Sequence, residues 1–382
     1  MMAIVSHSSP RLNRPRAGYL STLDGWRAIA ILGVLLYHDR VRSLGLFTTA
    51  LPHRFGGLGV DLFFGISGLL ITTRLLEEEK LFGAFSIKGF YIRRVFRIQP
   101  AALFFLGMIV LMHLLFHLPL VYKGVAEALC VVRNLAEWNY TDPGMRVTEH
   151  FWSLSVEEQF YLVLPALLLL LHSRRRRLIV LTGAALAFFL LAARAPKLHY
   201  YIDTRGHHTE LNLHGLLFGS ALAVLVSLPK TREKVRTVLR PWWILGACVV
   251  VAALRAHWHH YDMVWLSAAF PFIVLSTVLH PEEVAGRILE WAPLRFVGRI
   301  SYSIYLWQQV FFVVGRLTVG TRWAWFESAA VLYPLIFGCA LFSFYVIEKP
   351  MIRFGHRVAP PPTPGRADLH ETPEVRTGPA LA

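Results

Sequence analysis

Long apolar runs recur along this chain, and short polar connections separate them. A helix needs about 20 mainly apolar residues to cross the hydrocarbon core of a bilayer, so recurring runs predict a polytopic, all-α transmembrane bundle. Hydrophobic residues fill 55% of the 382 positions and charged residues only 16%, against about 25% charged in soluble domains. The clearest runs are Ala101–Phe116, Phe160–Leu171, Leu178–Ala193, Leu213–Leu228, Trp242–Leu254, Val264–Leu279, Ile304–Val314 and Ala329–Ile347.

Two further apolar segments, Ala28–Tyr37 and Leu58–Ile71, are shorter than a usual span and abut ionisable residues. One interpretation is that they are buried core helices. We favour spans whose ends carry functional polar groups, which brings the predicted total to about ten. The first of them is expected to be an uncleaved span, because no small-residue cleavage site follows it.

Basic residues concentrate in alternate connections, and the net charge is +15. The positive-inside rule accounts for this pattern without a nucleic-acid partner, and it predicts that both termini are cytoplasmic. The long segment Leu118–Phe151 then faces outside, and Val121–Val132 within it is a candidate re-entrant or interfacial helix. The expected organisation is a basic cytoplasmic tail over 1–18, a membrane domain over 19–354, and a disordered cytoplasmic tail over 355–382 that is rich in Pro.

The first polar motif runs from Leu23 to His38 and contains Arg27. Eleven positions separate Arg27 from His38, so on a helix they share a face but lie ~16 Å apart along the axis. Ionisable groups inside a membrane are costly and usually line a cavity. The alternative is that Arg27 reaches the headgroups and His38 marks the outer interface.

The second motif, Gly56 to Ile71, places Asp61 near the outer start of the next span, at about the depth of His38. A carboxylate there is able to orient the imidazole and stabilise its charged form, although Asp39 is a nearer alternative. Ser67 and Gly68 form a small-residue patch. For Gly68, close packing of helices is the favoured explanation.

The third motif, Phe90 to Pro100, contains three arginines. Arg94 and Arg97 point the same way on a helix, and Arg93 points elsewhere. Two guanidiniums on one face suit phosphate binding, whereas the alternative is a simple positive-inside anchor.

The fourth motif, His150 to Pro165, carries Glu157, Glu158 and Gln159, which we expect at the outer entry of a span. Ser153 or Ser155 is a candidate N-cap, and carboxylates suit the first turn of a helix. Capping accounts for one glutamate but not for both, so a functional role is expected for Glu158.

Two motifs close the series. Tyr302, Tyr305 and Trp307 are typical of an interfacial aromatic belt. Glu348 ends the last span at the cytoplasmic side, where it pairs either with Lys349 or with the arginines near Arg94. Histidines are frequent in the outer segments, but their spacing matches no zinc pattern, so no metal is expected.

Taken together and in this order, the motifs resemble the acyltransferase-3 family of membrane acyltransferases, over roughly Tyr19 to Phe354. The family's arginine and histidine with ten residues between them fall on Arg27 and His38, and its paired arginines on Arg94 and Arg97. Its S-G-F-L and V-E-E-Q-F-Y elements fall on Ser67–Leu70 and Val156–Tyr161. This chain departs from the common pattern at Leu69, Gln99 and Gln308.

The resemblance implies an enzyme that moves an acyl group, often acetyl, from acyl-CoA on the cytoplasmic side to a hydroxyl of a carbohydrate or lipid-linked glycan. It implies no permanently bound cofactor and a place in the bacterial inner membrane. The expected catalytic residues are His38, Arg27, Asp61 and Glu158, and the expected donor-binding residues are Arg94, Arg97, Arg93 and Ser67. His38 would act as general base or take the acyl group covalently.

The main alternative is a transporter or an ion- or proton-coupled channel that uses Arg27, His38 and Asp61. The expected separation of outer glutamates from inner arginines, and the absence of an obvious inverted repeat, weigh against it. The acceptor, the acyl chain length and the oligomeric state are left open.

Overall fold

A computed structural model describes residues 20–39, 58–136, 142–194, 207–242, 264–318 and 321–361, with single positions at 246 and 249. Within these ranges every regular element is a helix, so the predicted all-α class is confirmed for the described part of the chain. The first eight helices are α1 Ser21–His38, α2 Leu58–Phe82, α3 Ile87–Phe116, α4 Tyr122–Leu129, α5 Pro143–Arg146, α6 Phe151–Leu170, α7 Arg174–Arg194 and α8 Thr209–Val226. They are followed by α9 Pro229–Val238, α10 Val264–Leu279, α11 Val284–Leu289, α12 Ala292–Arg299, α13 Ser301–Thr318, α14 Ala329–Phe342, a π-helical segment Ser343–Glu348, and α15 Lys349–Val358.

Six of the described helices are long and apolar enough to cross a membrane: α2, α3, α6, α7, α8 and the continuous helix Ala329–Val358. The apolar helix α10 is shorter. The chain is therefore a multi-pass integral membrane protein. Most of the predicted span Trp242–Leu254, and the terminal segments 1–18 and 362–382, lie outside the described residues. The count of ten spans stays a prediction.

Several predicted boundaries differ from the structure, and α3, for example, begins at Ile87 rather than at Ala101. Helix α2 has 25 residues, so its expected shortness was wrong. Helix α6 begins at Phe151, well before the apolar run that starts at Phe160. Hydropathy misses both extensions because they carry charged residues, some of which contact other helices, as Glu79 does with Arg177 and Glu157 with Ser67. The predicted element Val121–Val132 contains α4, whose 8 residues rise only ~12 Å and cannot cross a bilayer.

Glycines permit close approach between α2 and α8. A Cβ on Gly68 would overlap the backbone oxygen of Leu216, and a Cβ on Gly219 would lie 2.6 Å from the backbone oxygen of Gly65. Backbones approach this closely only where side chains are absent. The packing interpretation of Gly68 is therefore confirmed. The contact fixes Ser67, the neighbour of Gly68, at the centre of the bundle.

Candidate functional site

Polar side chains from six parts of the chain meet inside the bundle. We call this group the central polar cluster; its members are Arg27 on α1, Ser67 on α2, Arg94 and Arg97 on α3, Glu157, Glu158 and Tyr161 on α6, Ser303 on α13, and Glu348 at the end of the π-helical segment. Ionisable groups inside a membrane protein are retained mainly for function.

Glu157 is held at the centre of this cluster by two hydrogen bonds. The hydroxyl of Ser67 donates to Oε1 at 3.1 Å, and the hydroxyl of Tyr161 donates to Oε2 at 2.8 Å. The guanidinium of Arg94 lies over the Tyr161 ring, 4.7 Å from its centroid. Ser67 therefore contacts Glu157, and its predicted contact with the donor stays a prediction.

The two glutamates do not cap a helix, so the capping interpretation was wrong. Because α6 begins at Phe151, Glu157 lies about two turns inside it. Ser153 and Ser155 are helical too, and their hydroxyls donate to the backbone oxygens of His150, at 3.3 Å, and Phe151, at 2.9 Å. The expected separation of glutamates from arginines was also wrong, since Arg94 lies within electrostatic range of Glu157 and Glu158.

The carboxylate of Glu348 has no exposed surface and contacts two side chains, one through an ion pair and one through a hydrogen bond. Nη1 of Arg97 lies 3.1 Å from Oε1, and the hydroxyl of Ser303 donates to Oε2 at 2.8 Å. Of the two alternatives left open for Glu348, Lys349 or the arginines near Arg94, the structure shows the second, with Arg97 as the partner. The helix widens to a π-helical segment over Ser343–Glu348, a feature that is frequent at functional sites.

Of the four arginines in the third motif and α1, two form salt bridges with glutamates and two form none with a described residue. Arg93 pairs with Glu78 at 2.7 Å, and Arg97 pairs with Glu348. Arg27 and Arg94 make no salt bridge with any described residue. Arg27 has Arg97, Asp24, Glu348 and Glu157 as electrostatic neighbours, and Arg94 makes cation–π contacts to Tyr161 and Phe90. Neither the Arg27 nor the Arg94 guanidinium therefore has a carboxylate of a described residue within salt-bridge distance.

Glu158 lies at a small cleft between α3, α4 and α6. The lining is apolar except at Gln99, Ser155 and Glu158. Oε1 of Glu158 is buried and has no hydrogen-bond partner among the described residues. This arrangement leaves a carboxylate oxygen at the inner wall of an apolar opening.

His38 ends α1, with Nδ1 3.1 Å from the backbone oxygen of Val34. That contact places the proton on Nδ1 and the lone pair on Nε2, the tautomer that a general base requires. Asp61 makes no hydrogen bond with a described residue, so its predicted role in orienting His38 stays a prediction. Asp39 accepts a hydrogen bond from the Tyr333 hydroxyl at 2.6 Å.

The aromatic residues of α13 are part of the core, so the prediction of an interfacial belt was wrong. Tyr305 and Trp307 are buried, and Tyr302 is half-buried with its hydroxyl donating to the backbone oxygen of Ile98 at 2.8 Å. The Tyr305 hydroxyl donates to the backbone oxygen of His150 at 2.9 Å and lies 2.5 Å from the Ser153 hydroxyl. Aromatic hydroxyls therefore link α13 to α3 and to the start of α6.

Sequence reasoning missed Tyr161 and Ser303 as members of the central polar cluster. The spacing of Glu157 and Tyr161 is a readable signal, because residues four apart share a helix face. Ser303 has no such signal, since its partner Glu348 is distant in the sequence.

The comparisons with known proteins agree with the motifs. The model of the acyltransferase-3 family, described as an acyltransferase domain, matches residues 20–349. A Staphylococcus aureus (strain COL) protein whose name gives O-acetyltransferase as a provisional activity is 29% identical over 312 residues, which cover 76% of this chain and 50% of the relative. O-acetyltransferase OatA of Staphylococcus aureus (strain NCTC 8325 / PS 47) is 27% identical over 309 residues, with 76% and 50% coverage.

The chain spans about half the length of the curated relatives it matches. No solved structure matches. The family match extends from the start of α1 to the first residue of α15 and so includes every member of the central polar cluster. The predicted family is confirmed: this chain belongs to the acyltransferase-3 family.

Proposed function

We propose that the chain is a membrane O-acyltransferase that moves an acyl group, acetyl in the simplest case, from acyl-CoA to a hydroxyl of a carbohydrate acceptor. The hydroxyl oxygen attacks the thioester carbonyl, a carbon–oxygen bond forms, and the carbon–sulfur bond breaks. The proton of the hydroxyl ends on the thiol of the released CoA. Relatives named O-acetyltransferase support the reaction class.

The observation that carries the proposal is the contrast among the arginines. Arg93 and Arg97 have carboxylate partners, whereas Arg27 and Arg94, inside the same bundle, have none among the described residues. A guanidinium away from water is costly without a counter-charge, and it binds phosphate in a bidentate fashion. An anionic ligand such as the phosphates of CoA would supply that charge. Arg94 and Arg27 are then the main donor-binding residues, with Arg97 oriented by Glu348.

His38 lies farther along α1, about 16 Å from Arg27 along the helix axis. The long pantetheine arm of CoA is suited to cover such a distance and bring the thioester to the imidazole. Nε2 of His38 takes the proton of the acceptor hydroxyl and returns it to the thiolate. Glu158, at the wall of the cleft, orients the acceptor, and Asp61 stabilises the charged imidazole.

In this proposal both termini are cytoplasmic, the bundle has about ten spans, and the membrane is the bacterial plasma membrane. The basic connections that follow α2, α6 and α8 then lie on the same side as the donor. The acceptor approaches from the opposite side.

The test uses cell envelopes from source cells that lack the gene, supplied with the full chain and with radiolabelled acetyl-CoA. We expect label in an ester that hydroxylamine cleaves, with one CoA thiol released per ester formed. Label that crosses the membrane without forming an ester would favour a transporter. Absence of label both from the ester and from the interior of the envelopes would contradict the proposal.

A further inference from the structure

Three buried polar side chains, on α13 or directly before α6, have polar atoms without a hydrogen-bond partner among the described residues. His150 is 2% exposed, Trp307 4% and Gln308 0%. Both ring nitrogens of His150, Nε1 of Trp307 and Oε1 of Gln308 have no hydrogen-bond partner among the described residues. Leaving buried polar atoms without hydrogen bonds destabilises a fold, so such a group calls for a reason.

The His150 ring is fixed by packing contacts, although its nitrogens make no hydrogen bond with a described residue. Its backbone oxygen accepts hydrogen bonds from Tyr305 and Ser153. Its ring packs against Phe151 at 4.8 Å, Phe105 at 5.4 Å and Tyr305 at 5.5 Å between centroids. An imidazole fixed by aromatic rings, with both nitrogens available, is preorganised for a ligand.

Trp307 and Gln308 belong to the same region. Trp307 packs on Phe105 at 5.4 Å, the distance at which His150 contacts that ring. The neighbouring Gln309 donates to the backbone oxygen of Arg146 at 3.0 Å, which ties this part of α13 to the segment that precedes His150. The three side chains together offer N–H donors and unused acceptors.

His38 is close to this group. Burial, and to a lesser degree the proximity of His38 and Arg133, lowers the pKa of the His150 imidazole well below its usual range. His150, which directly precedes α6, is therefore neutral at physiological pH. A neutral imidazole has one donor and one acceptor, which matches the hydrogen-bonding capacity of a hydroxyl group.

We propose that His150, Trp307 and Gln308 form the subsite that hydrogen-bonds the reacting hydroxyl of the acyl acceptor, next to His38; this rests on the proposed O-acyl transfer. His150 contacts the hydroxyl oxygen and directs its proton towards His38. The oxygen then forms the ester bond as the carbon–sulfur bond of the thioester breaks, and the proton passes through His38 to the thiolate.

The test compares His150→Leu with a matched control, His214→Leu. His214 is 3% exposed, but both of its nitrogens are bonded, Nδ1 to the Leu211 backbone oxygen at 3.1 Å and Nε2 to the Ser267 hydroxyl at 2.6 Å. Three quantities are measured on the full chain: the thermal midpoint in detergent, the shift of that midpoint on adding CoA, and ester formation from radiolabelled acetyl-CoA in source-cell envelopes.

We expect His150→Leu to keep or raise the thermal midpoint, because it removes two unused polar atoms, and to keep the CoA shift. Ester formation should fall at least about tenfold. His214→Leu should lower the midpoint and keep ester formation per folded molecule. Trp307→Phe, which removes only the unused N–H, should also lower ester formation while keeping the CoA shift.

Three results would overturn the assignment. Wild-type ester formation in His150→Leu would mean that its nitrogens contact water only. A lower midpoint with unchanged ester formation per folded molecule would make His150 structural. Loss of the CoA shift together with ester formation would move His150 into the donor site. Failure of the wild type to form ester or respond to CoA refutes the proposed function itself, and the subsite with it.

Discussion

Arg97 and Glu348 form an ion pair inside the bundle, with 3.1 Å between Nη1 and Oε1. The pair joins α3 to the end of the π-helical segment, and the Ser303 hydroxyl completes the carboxylate's coordination from α13. Three distant parts of the sequence are thus fixed around one buried carboxylate. The same contact supplies negative charge next to Arg27.

Glu348→Gln should lower the stability of the bundle, because Arg97 loses its buried carboxylate partner. The side chain of Glu348 is 0% exposed and that of Arg97 24% exposed. We expect a cost of about 3 kcal/mol, the lower end for breaking a buried ion pair. The thermal midpoint of the detergent-solubilised chain measures it.

The control for this change is Glu282→Gln, whose carboxylate pairs with Arg236 at 2.9 Å on an exposed surface. Surface ion pairs contribute little, so its midpoint should match the wild type. Equal midpoints for both variants would mean that the interior pair does not stabilise the bundle.

Arg94→Gln should raise the KM for acetyl-CoA about 10- to 100-fold, since hydrogen bonds to a charged group are worth about 1.5–3 kcal/mol. Arg94→Lys should recover part of the loss, because lysine keeps the charge without the planar fork. Initial rates of ester formation against acetyl-CoA concentration give both values. Lys88→Gln removes an exposed positive charge near the start of the same helix and should leave KM unchanged. An equal increase in KM in Lys88→Gln would mean that Arg94 acts only through its positive charge and does not bind the donor directly.

His38→Gln should lower kcat by about 10²- to 10⁴-fold, the usual contribution of a general base, with little change in the KM for acetyl-CoA. Steady-state rates in envelopes provide the measurement. His172→Gln, at an exposed histidine between α6 and α7, serves as the control and should behave as wild type. Undiminished kcat in His38→Gln removes the imidazole from the mechanism, and label trapped on the wild-type protein would favour a covalent acyl-histidine.

Gly68→Ala should destabilise the chain by about 1–3 kcal/mol, because the added Cβ overlaps the Leu216 backbone and forces α2 and α8 apart. At Gly183, on α7, a Cβ meets nothing within 4 Å. Gly183→Ala should therefore be neutral or stabilise the helix by up to about 1 kcal/mol. The thermal midpoints of the two variants measure these effects. A wild-type midpoint in the Gly68→Ala variant would show that α2 and α8 can separate at little cost in free energy.

Much of the fold was readable from hydropathy, because lipid-facing surfaces are apolar over lengths that a bilayer fixes. The extent of α2 and α6 was not, since Glu78 and Glu79 in α2 and Glu157 in α6 interrupt the apolar pattern while contacting side chains of other helices. The aromatic residues of α13 were assigned to the membrane interface because the sequence shows that their side chains are amphipathic. It does not show which groups of other helices they contact.

The site was partly readable. The i,i+3 and i,i+4 spacings show which residues share a face, and one of the two pairings left open for Glu348, with the arginines of α3, is the one that the structure shows. Sequence could not show that Arg93 and Arg97 are paired while Arg27 and Arg94 are not, because this depends on carboxylates from other helices. His150 gave no signal, since its unused nitrogens are visible only when its surroundings are known.

The most direct test of the account is the sidedness of acyl transfer in sealed vesicles from source cells. Radiolabelled acetyl-CoA is added outside inside-out and right-side-out vesicles that contain the full chain. The account predicts ester on the enclosed acceptor, with one CoA thiol released outside, only in the inside-out vesicles. Equal ester formation in both orientations, or transport of label without ester, would contradict it.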